Sequence, residues 1–320
     1  MDWKKIVSVA IGLAIFLVLL MNANLNRTLG IFANINLFWF FCALSADAIG
    51  LSLKTFKWKM LLGSGKKIGF AEAFRYYLIG FFFSAITPGR IGDFVRAKYA
   101  GKKTGLAYAT TSVLLDRLID VALLLAIGFV AVIVAAELFG LAFFSPEIIL
   151  FLLAGLIGGI YFASKKNVAY FFLKPIHKKI VPEKFRQKTR EAFHGIYDAI
   201  EIFKGDKMLL AKATATGVLI WGITITSVYF LSLSINLGLP FYAFFMIVPL
   251  MALSDLIPLS VGGLGPREFI TINALAVFLI GYDEAIAFSI LYFFSGYLLI
   301  SIIGGFAFLN ENMRAKNNAK

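Results

Sequence analysis

The chain has 320 residues, 60% hydrophobic and 16% aromatic, with only 15% charged and a mean hydropathy of +0.85. A water-soluble domain carries nearer a quarter charged residues, and several apolar runs here reach the roughly 20 residues that cross a bilayer, so a soluble globular domain is excluded. The net charge of +13 reads first as a topology signal, and nucleic acid is not an expected partner.

In chain order, the first apolar stretch follows Lys4 and Lys5 and lacks an A-x-A-like cleavage site, so it reads as a retained span rather than a signal peptide. Runs suited to full spans fall at 6–22, 36–53, 113–136, 148–164, 212–235 and 285–309. Two more apolar regions, 70–100 and 241–280, are broken by glycine and proline. The alternating polar and apolar period of a membrane β-barrel is absent. The expectation is an all-α polytopic membrane protein filling residues 1–320 as one transmembrane domain. Trp3, Trp39 and Trp58 read as interface anchors, and Trp221 as packing.

Of the 31 Lys and Arg, all but Arg27 and Arg267 fall at the N-terminus, in 54–75, 90–117 or 165–212, or in the C-terminal tail. The positive-inside rule then puts both termini and the long middle loop in the cytoplasm, with the plasma membrane as the expected location. Residues 54–69 and Lys98–Lys103 lie on the same side, so the region between them enters and leaves together. As helices, 74–87 and 91–100 cover about 21 and 15 Å, short of a core of about 30 Å. They predict a re-entrant hairpin with "TPGRIGDF" (87–94) at its tip. By the same parity, 241–280 forms a second hairpin or two short spans, with "SVGGLGPREF" (260–269) at its tip. The expected architecture is about six full transmembrane helices plus two re-entrant hairpins. It forms an inverted-topology repeat, 1–136 and 148–309, with a basic amphipathic cytoplasmic loop at 165–211.

Non-helical backbone at membrane depth survives only against protein or a water-filled cavity. Each tip supplies glycines (Gly89 and Gly92; Gly262, Gly263 and Gly265), free N–H groups at a helix start, and arginines (Arg90 and Arg96; Arg267). Pro266 suits a first helical position. Such a tip suits an anion, and an arginine fork matches phosphate. The plainer alternative is packing, with Arg267 paired to Glu268 or Asp255 and Arg90 to Asp93. Asp47 stands alone in the second span, as a proton site or an arginine partner. In "LLDRLIDVALLL", Asp116 and Asp120 share a helix face, with Arg117 beside them. They form either a cytoplasmic ion cluster or a lateral gate.

In the middle loop, Phe185, Thr189, Ala192, Phe193, Ile196, Ile200 and Phe203 fall at helical spacing opposite a basic face. This helix either lies on an anionic leaflet or packs on the bundle. Cys42 is the only cysteine, His177 and His194 share a basic loop, and no nucleophile, metal-ligand or nucleotide-binding spacing occurs. No cofactor, metal or enzymatic activity is expected.

These motifs, taken together, resemble the flippase-like membrane domain found beside lysylphosphatidylglycerol synthase in bacterial multiple peptide resistance factors. Stand-alone archaeal and bacterial relatives of this size also exist. The resemblance rests on Pro88-Gly89-Arg90-Ile91-Gly92-Asp93 with Arg96, on Asp116-Arg117-Leu118-Ile119-Asp120, and on Pro258 through Gly262-Gly263-Leu264-Gly265 with Arg267-Glu268. It covers nearly the whole chain and implies re-entrant helices and lipid translocation. Family members carry Glu where Asp93 and Asp116 stand, and a hydrophobic residue where Pro266 stands. No aminoacyl-transferase domain is expected after residue 320, and with it no synthase reaction on lysyl-tRNA. Some archaeal relatives are linked with dolichol-phosphate sugar pathways.

The resulting expectation is a transporter of an anionic or polyprenyl-phosphate lipid. Arg90, Arg96 and Arg267 would hold the head group. Asp47, Asp93, Asp255 and Glu268 would counter those charges or carry protons. The alternatives are a transferase acting on a lipid-linked sugar, with Asp116 or Asp120 as base, and a non-transporting partner of a separate synthase or glycosyltransferase. The sequence leaves a homo-oligomer open.

Overall fold

A computed structural model describes residues 3–63, 68–87, 90–139, 205–254 and 263–317, with isolated positions between 147 and 203. Every regular element among the described residues is helical. They are α1 (Trp3–Met21), α2 (Leu25–Ala33), α3 (Leu37–Leu61), α4 (Phe70–Ala85), α5 (Val95–Thr104) and α6 (Leu106–Phe139). They continue with α7 (Lys207–Ser234), α8 (Phe244–Ser254), α9 (Pro266–Ala276), α10 (Tyr282–Phe293) and α11 (Leu299–Asn317).

Among the described residues, three helical stretches are long and apolar enough to cross a membrane: Leu37–Leu61, Lys207–Ser234 and Tyr282–Arg314. A fourth arises if the pair Gly12–Met21 and Leu25–Ala33, bent by 91°, counts as one span. This is a narrower set than the six apolar runs of the sequence. The first run ends in that bend, where Asn24 caps α2 by accepting from the Arg27 N–H at 3.2 Å. The run 113–136 lies within the 34-residue α6. The run 148–164 and most of the loop 165–211 lie outside the described residues. The run 285–309 is interrupted by a π-helical turn at Phe294–Leu298.

The chain groups into two compact units. The first comprises Met1–Phe56, Phe70–Arg96 and Val218–Lys320. Its core gathers Ile225, Phe244, Ile247, Met251, Leu275 and Phe288, all 2% exposed or less. Glycines set the closest helix approaches. A Cβ at Gly304 of α11 would stand 2.3 Å from the Leu78 carbonyl oxygen of α4. A Cβ at Gly265 would stand 2.6 Å from the Gly12 carbonyl oxygen of α1. The bend after α1 is pinned to the start of α10: Tyr282 donates to the Leu19 carbonyl at 2.9 Å, and Arg27 meets Glu284 at 2.5 Å. Arg75 of α4 pairs with Glu311 of α11 at 2.8 Å.

The second unit comprises Lys57–Gly69 and Ala97–Gly217. Leu61, Phe203 and Ala213 are buried there, and Tyr108 stacks on Phe203 at 5.1 Å. Phe203, from the predicted amphipathic face, therefore packs against the protein. Trp58 corrects the expectation of an interface anchor. It is fully buried, and its indole N–H donates to Ser112 Oγ at 3.1 Å. A tryptophan near a span end satisfies its one donor equally well inside a bundle.

Candidate functional site

The first tip begins where α4 stops. Thr87 Oγ1 donates to the Phe83 carbonyl at 2.7 Å and accepts the Gly92 N–H at 2.8 Å, turning the chain back on the helix. Gly92 is required there, because a Cβ would stand 2.1 Å from the Phe83 carbonyl oxygen. Arg90 takes a left-handed conformation at φ 56°, then residues Ile91–Phe94 form a 3-10 turn into α5. A non-glycine residue held in that region costs about 1–3 kcal/mol, and such strain gathers at functional positions.

This turn separates the tip's two arginines. Arg96, fully buried, pairs with buried Asp93 at 2.9 Å and lies 4.5 Å above the Tyr77 ring. Gly80 on α4 leaves room for them, since a Cβ there would be 3.1 Å from Asp93 Oδ1. Arg90 turns elsewhere. Its guanidinium donates to the Tyr297 hydroxyl and lies 5.2 Å from that ring's centroid.

The second tip enters α9 through Gly263 and Gly265, at φ 74° and 91°. Pro266 occupies the first helical turn, as expected. Glu268, buried, accepts the Gly265 N–H at 2.5 Å and Arg267 Nη2 at 2.6 Å. One carboxylate thus caps the helix and holds the arginine. The fully buried Arg267 guanidinium lies 4.3 Å from the Tyr297 centroid and 5.3 Å from that of Phe293. Tyr297 receives one arginine from each tip, from the π-helical turn between α10 and α11. Single π turns inside α-helices often mark functional positions.

The geometry therefore brings Arg90 and Arg267 to one ring. Arg96 is held by Asp93, and Arg267 by Glu268 as the packing reading expected. Asp47 accepts from Ser227 of α7 at 2.7 Å, a hydroxyl partner. Gly89, Gly262 and Asp255 lie outside the described residues.

A family model described as the lysylphosphatidylglycerol synthase transmembrane region matches residues 5–304. The chain belongs to this family. A UPF0104 membrane protein of Pyrococcus horikoshii, PH1989, is 24% identical over 308 residues, covering 90% of each chain. No solved structure matches. This member of the transmembrane-region family is thus a membrane protein in which the described parts of the two glycine-rich motifs lead into α5 and α9.

The "DRLID" helix, the remaining motif of the family resemblance, carries its own charge cluster in the second unit. Lys57 Nζ lies 3.0 Å from Asp116 Oδ1 and also pairs with Asp120. Lys57 and Asp116 are fully buried, while Arg117 is partly exposed. An ammonium between two carboxylates is a paired cluster of the kind that buried charges require.

Sequence reasoning missed Tyr297, Tyr77, Ser227 and Lys57. Tyr297 had one signal, the pair Ser295-Gly296 interrupting an aromatic run. Lys57 was hidden among lysines that read as topology.

Proposed function

We propose that this protein moves a lipid with an anionic, phosphate-bearing head group between the leaflets of the cell membrane. The head group is held by Arg90 and Arg267 between the two tips. The observation that carries this reading is the meeting of one arginine from each glycine-rich tip at the Tyr297 ring. A charged residue at mid-bilayer costs at least about 2.5–3.5 kcal/mol, so two drawn to one place point to an anion that uses both. Guanidinium forks fit phosphate oxygens in pairs. Arg90 is only partly buried and meets the ligand first, while Glu268 balances Arg267 in the empty site.

In this reading the broken segments around the tips are re-entrant hairpins of an inverted repeat. Both termini are cytoplasmic, and the halves rock about the site. An anionic phospholipid and a polyprenyl phosphate share the phosphate chemistry recognised here. The transferase alternative needs Asp116 or Asp120 as a base, and the Lys57 ammonium against both carboxylates weighs against it.

The test is reconstitution in liposomes carrying fluorescent lipids of several head groups, followed by dithionite quenching. Wild-type protein exposes the inner-leaflet pool of the transported lipid. The Arg90→Ala/Arg267→Ala variant leaves it protected. A fully active double variant, or wild-type quenching equal to empty liposomes for every lipid, overturns the reading.

A further inference from the structure

We infer that Tyr297 is a third residue of the head-group site, a placeholder that occupies the arginines until a lipid phosphate displaces it. This inference rests on the proposed head-group site and adds a residue that no sequence motif marks. The Tyr297 hydroxyl accepts from Arg90, where a phosphate oxygen would accept. Its ring face takes the Arg267 guanidinium at 4.3 Å, where a second oxygen would lie. Tyr297 is 8% exposed, and Phe81, Tyr292 and Phe293 stand 6.1, 5.8 and 6.4 Å from it, ring to ring. A ring so enclosed helps keep water from the fully buried Arg267 guanidinium, while Arg90 stays partly exposed. The ring offers the two arginines a neutral oxygen and a π face, weaker partners than a phosphate anion.

The way out is built into the backbone. Tyr297 sits in the π turn Phe294–Leu298, between two α-helical stretches. A π turn holds one residue more than an α turn. Moving that extra residue along the helix re-registers the residues it passes by one position, a rotation of about 100°. Such a step swings Tyr297 off both arginines without breaking α10 or α11. A phosphate arriving at the partly exposed Arg90 competes first for the hydroxyl and then for Arg267. Departure of the lipid returns the ring.

The test uses the purified full chain in zwitterionic nanodiscs, comparing wild type, Tyr297→Phe and Arg90→Gln. Two measurements are made: binding of dioctanoyl phosphatidylglycerol or dioctanoyl phosphatidic acid, and the lipid-free rate of phenylglyoxal modification at Arg90, read by mass spectrometry. Tyr297→Phe removes the competing hydroxyl and keeps the ring. Its affinity for the probe that binds wild type rises on the order of tenfold, the worth of one hydrogen bond to a charged group. Its Arg90 modification rate rises several-fold. Arg90→Gln loses probe binding. Weaker or unchanged binding by Tyr297→Phe overturns the placeholder, because the hydroxyl would then be a ligand contact or irrelevant. Failure of every protein to bind either probe refutes the head-group reading for these phospholipids. The phenylglyoxal rates still decide the role of Tyr297, since equal rates in wild type and Tyr297→Phe overturn it whatever the ligand is.

Discussion

The two tips solve one problem in different ways. Each must bury an arginine beside a carboxylate and start a helix from a glycine turn. In the first tip these tasks are divided: Arg96 pairs with Asp93, Thr87 ties the turn, and Arg90 is left to reach Tyr297. In the second they are merged: Arg267 both pairs with Glu268 and meets Tyr297, and Glu268 also caps α9. The difference teaches that the first tip separates structure from reach, so its residues can be changed one role at a time. In the second tip every change touches both roles.

The largest effect tests that division directly. Removing one member of a buried ion pair costs about 3–5 kcal/mol, because the partner stays buried and uncompensated. Arg96→Met and Arg267→Met are both expected to lose about that much, seen as a lower midpoint of thermal unfolding in detergent. Removing both partners separates the tips. Asp93→Leu with Arg96→Met regains most of the stability, since a buried pair replaced by apolar groups is often neutral. Glu268→Leu with Arg267→Met does not, because the Gly265 N–H loses its acceptor. Equal recovery in both double variants would erase the distinction.

A smaller effect comes from the turn of the first tip. Gly92→Ala places a methyl group against the backbone of Phe83 and is expected to cost about 3 kcal/mol. Thr87→Val leaves the Gly92 N–H without its acceptor and is expected to cost about 1–3 kcal/mol. In the second tip the comparable tie, Glu268 on the Gly265 N–H, belongs to the ion pair as well and cannot be removed by itself. If Thr87→Val is neutral in the same unfolding assay, the turn is held by packing alone.

Much of this was legible in the sequence, for identifiable reasons. Glycines clustered with a proline marked both interruptions, whereas Gly80, Gly304 and Pro249, standing apart from such clusters, lie inside helices. The Arg267–Glu268 pair is one of the two partners that the packing alternative offered, and Pro266 at the helix start follows from its missing N–H. The rest depends on distance in space. Tyr297 lies 207 residues from Arg90, in a run whose composition reads as continuous helix. The π turn Phe294–Leu298 that carries it leaves no period in the sequence. Lys57 obeys the topology rule whether it faces water or two buried aspartates. Trp58 obeys the interface rule for the same uninformative reason.

The smallest effect on folding tests the functional reading of the first tip. Arg90 is partly exposed, is held at a positive φ that its own side chain does not favour, and donates to a neutral hydroxyl. Arg90→Gln is expected to lower the unfolding midpoint by less than Arg96→Met or Arg267→Met, because Arg90 is partly exposed where those two are fully buried. Arg90→Gly relieves the left-handed strain and is expected to raise stability slightly. If both variants unfold like wild type yet fail to expose the inner-leaflet lipid to dithionite, the first tip spends its strain on a residue whose use lies outside the fold. Full activity in both, with Arg267→Met also active once its lost stability is allowed for, would leave the meeting at Tyr297 as packing and would make the two tips alike in purpose after all.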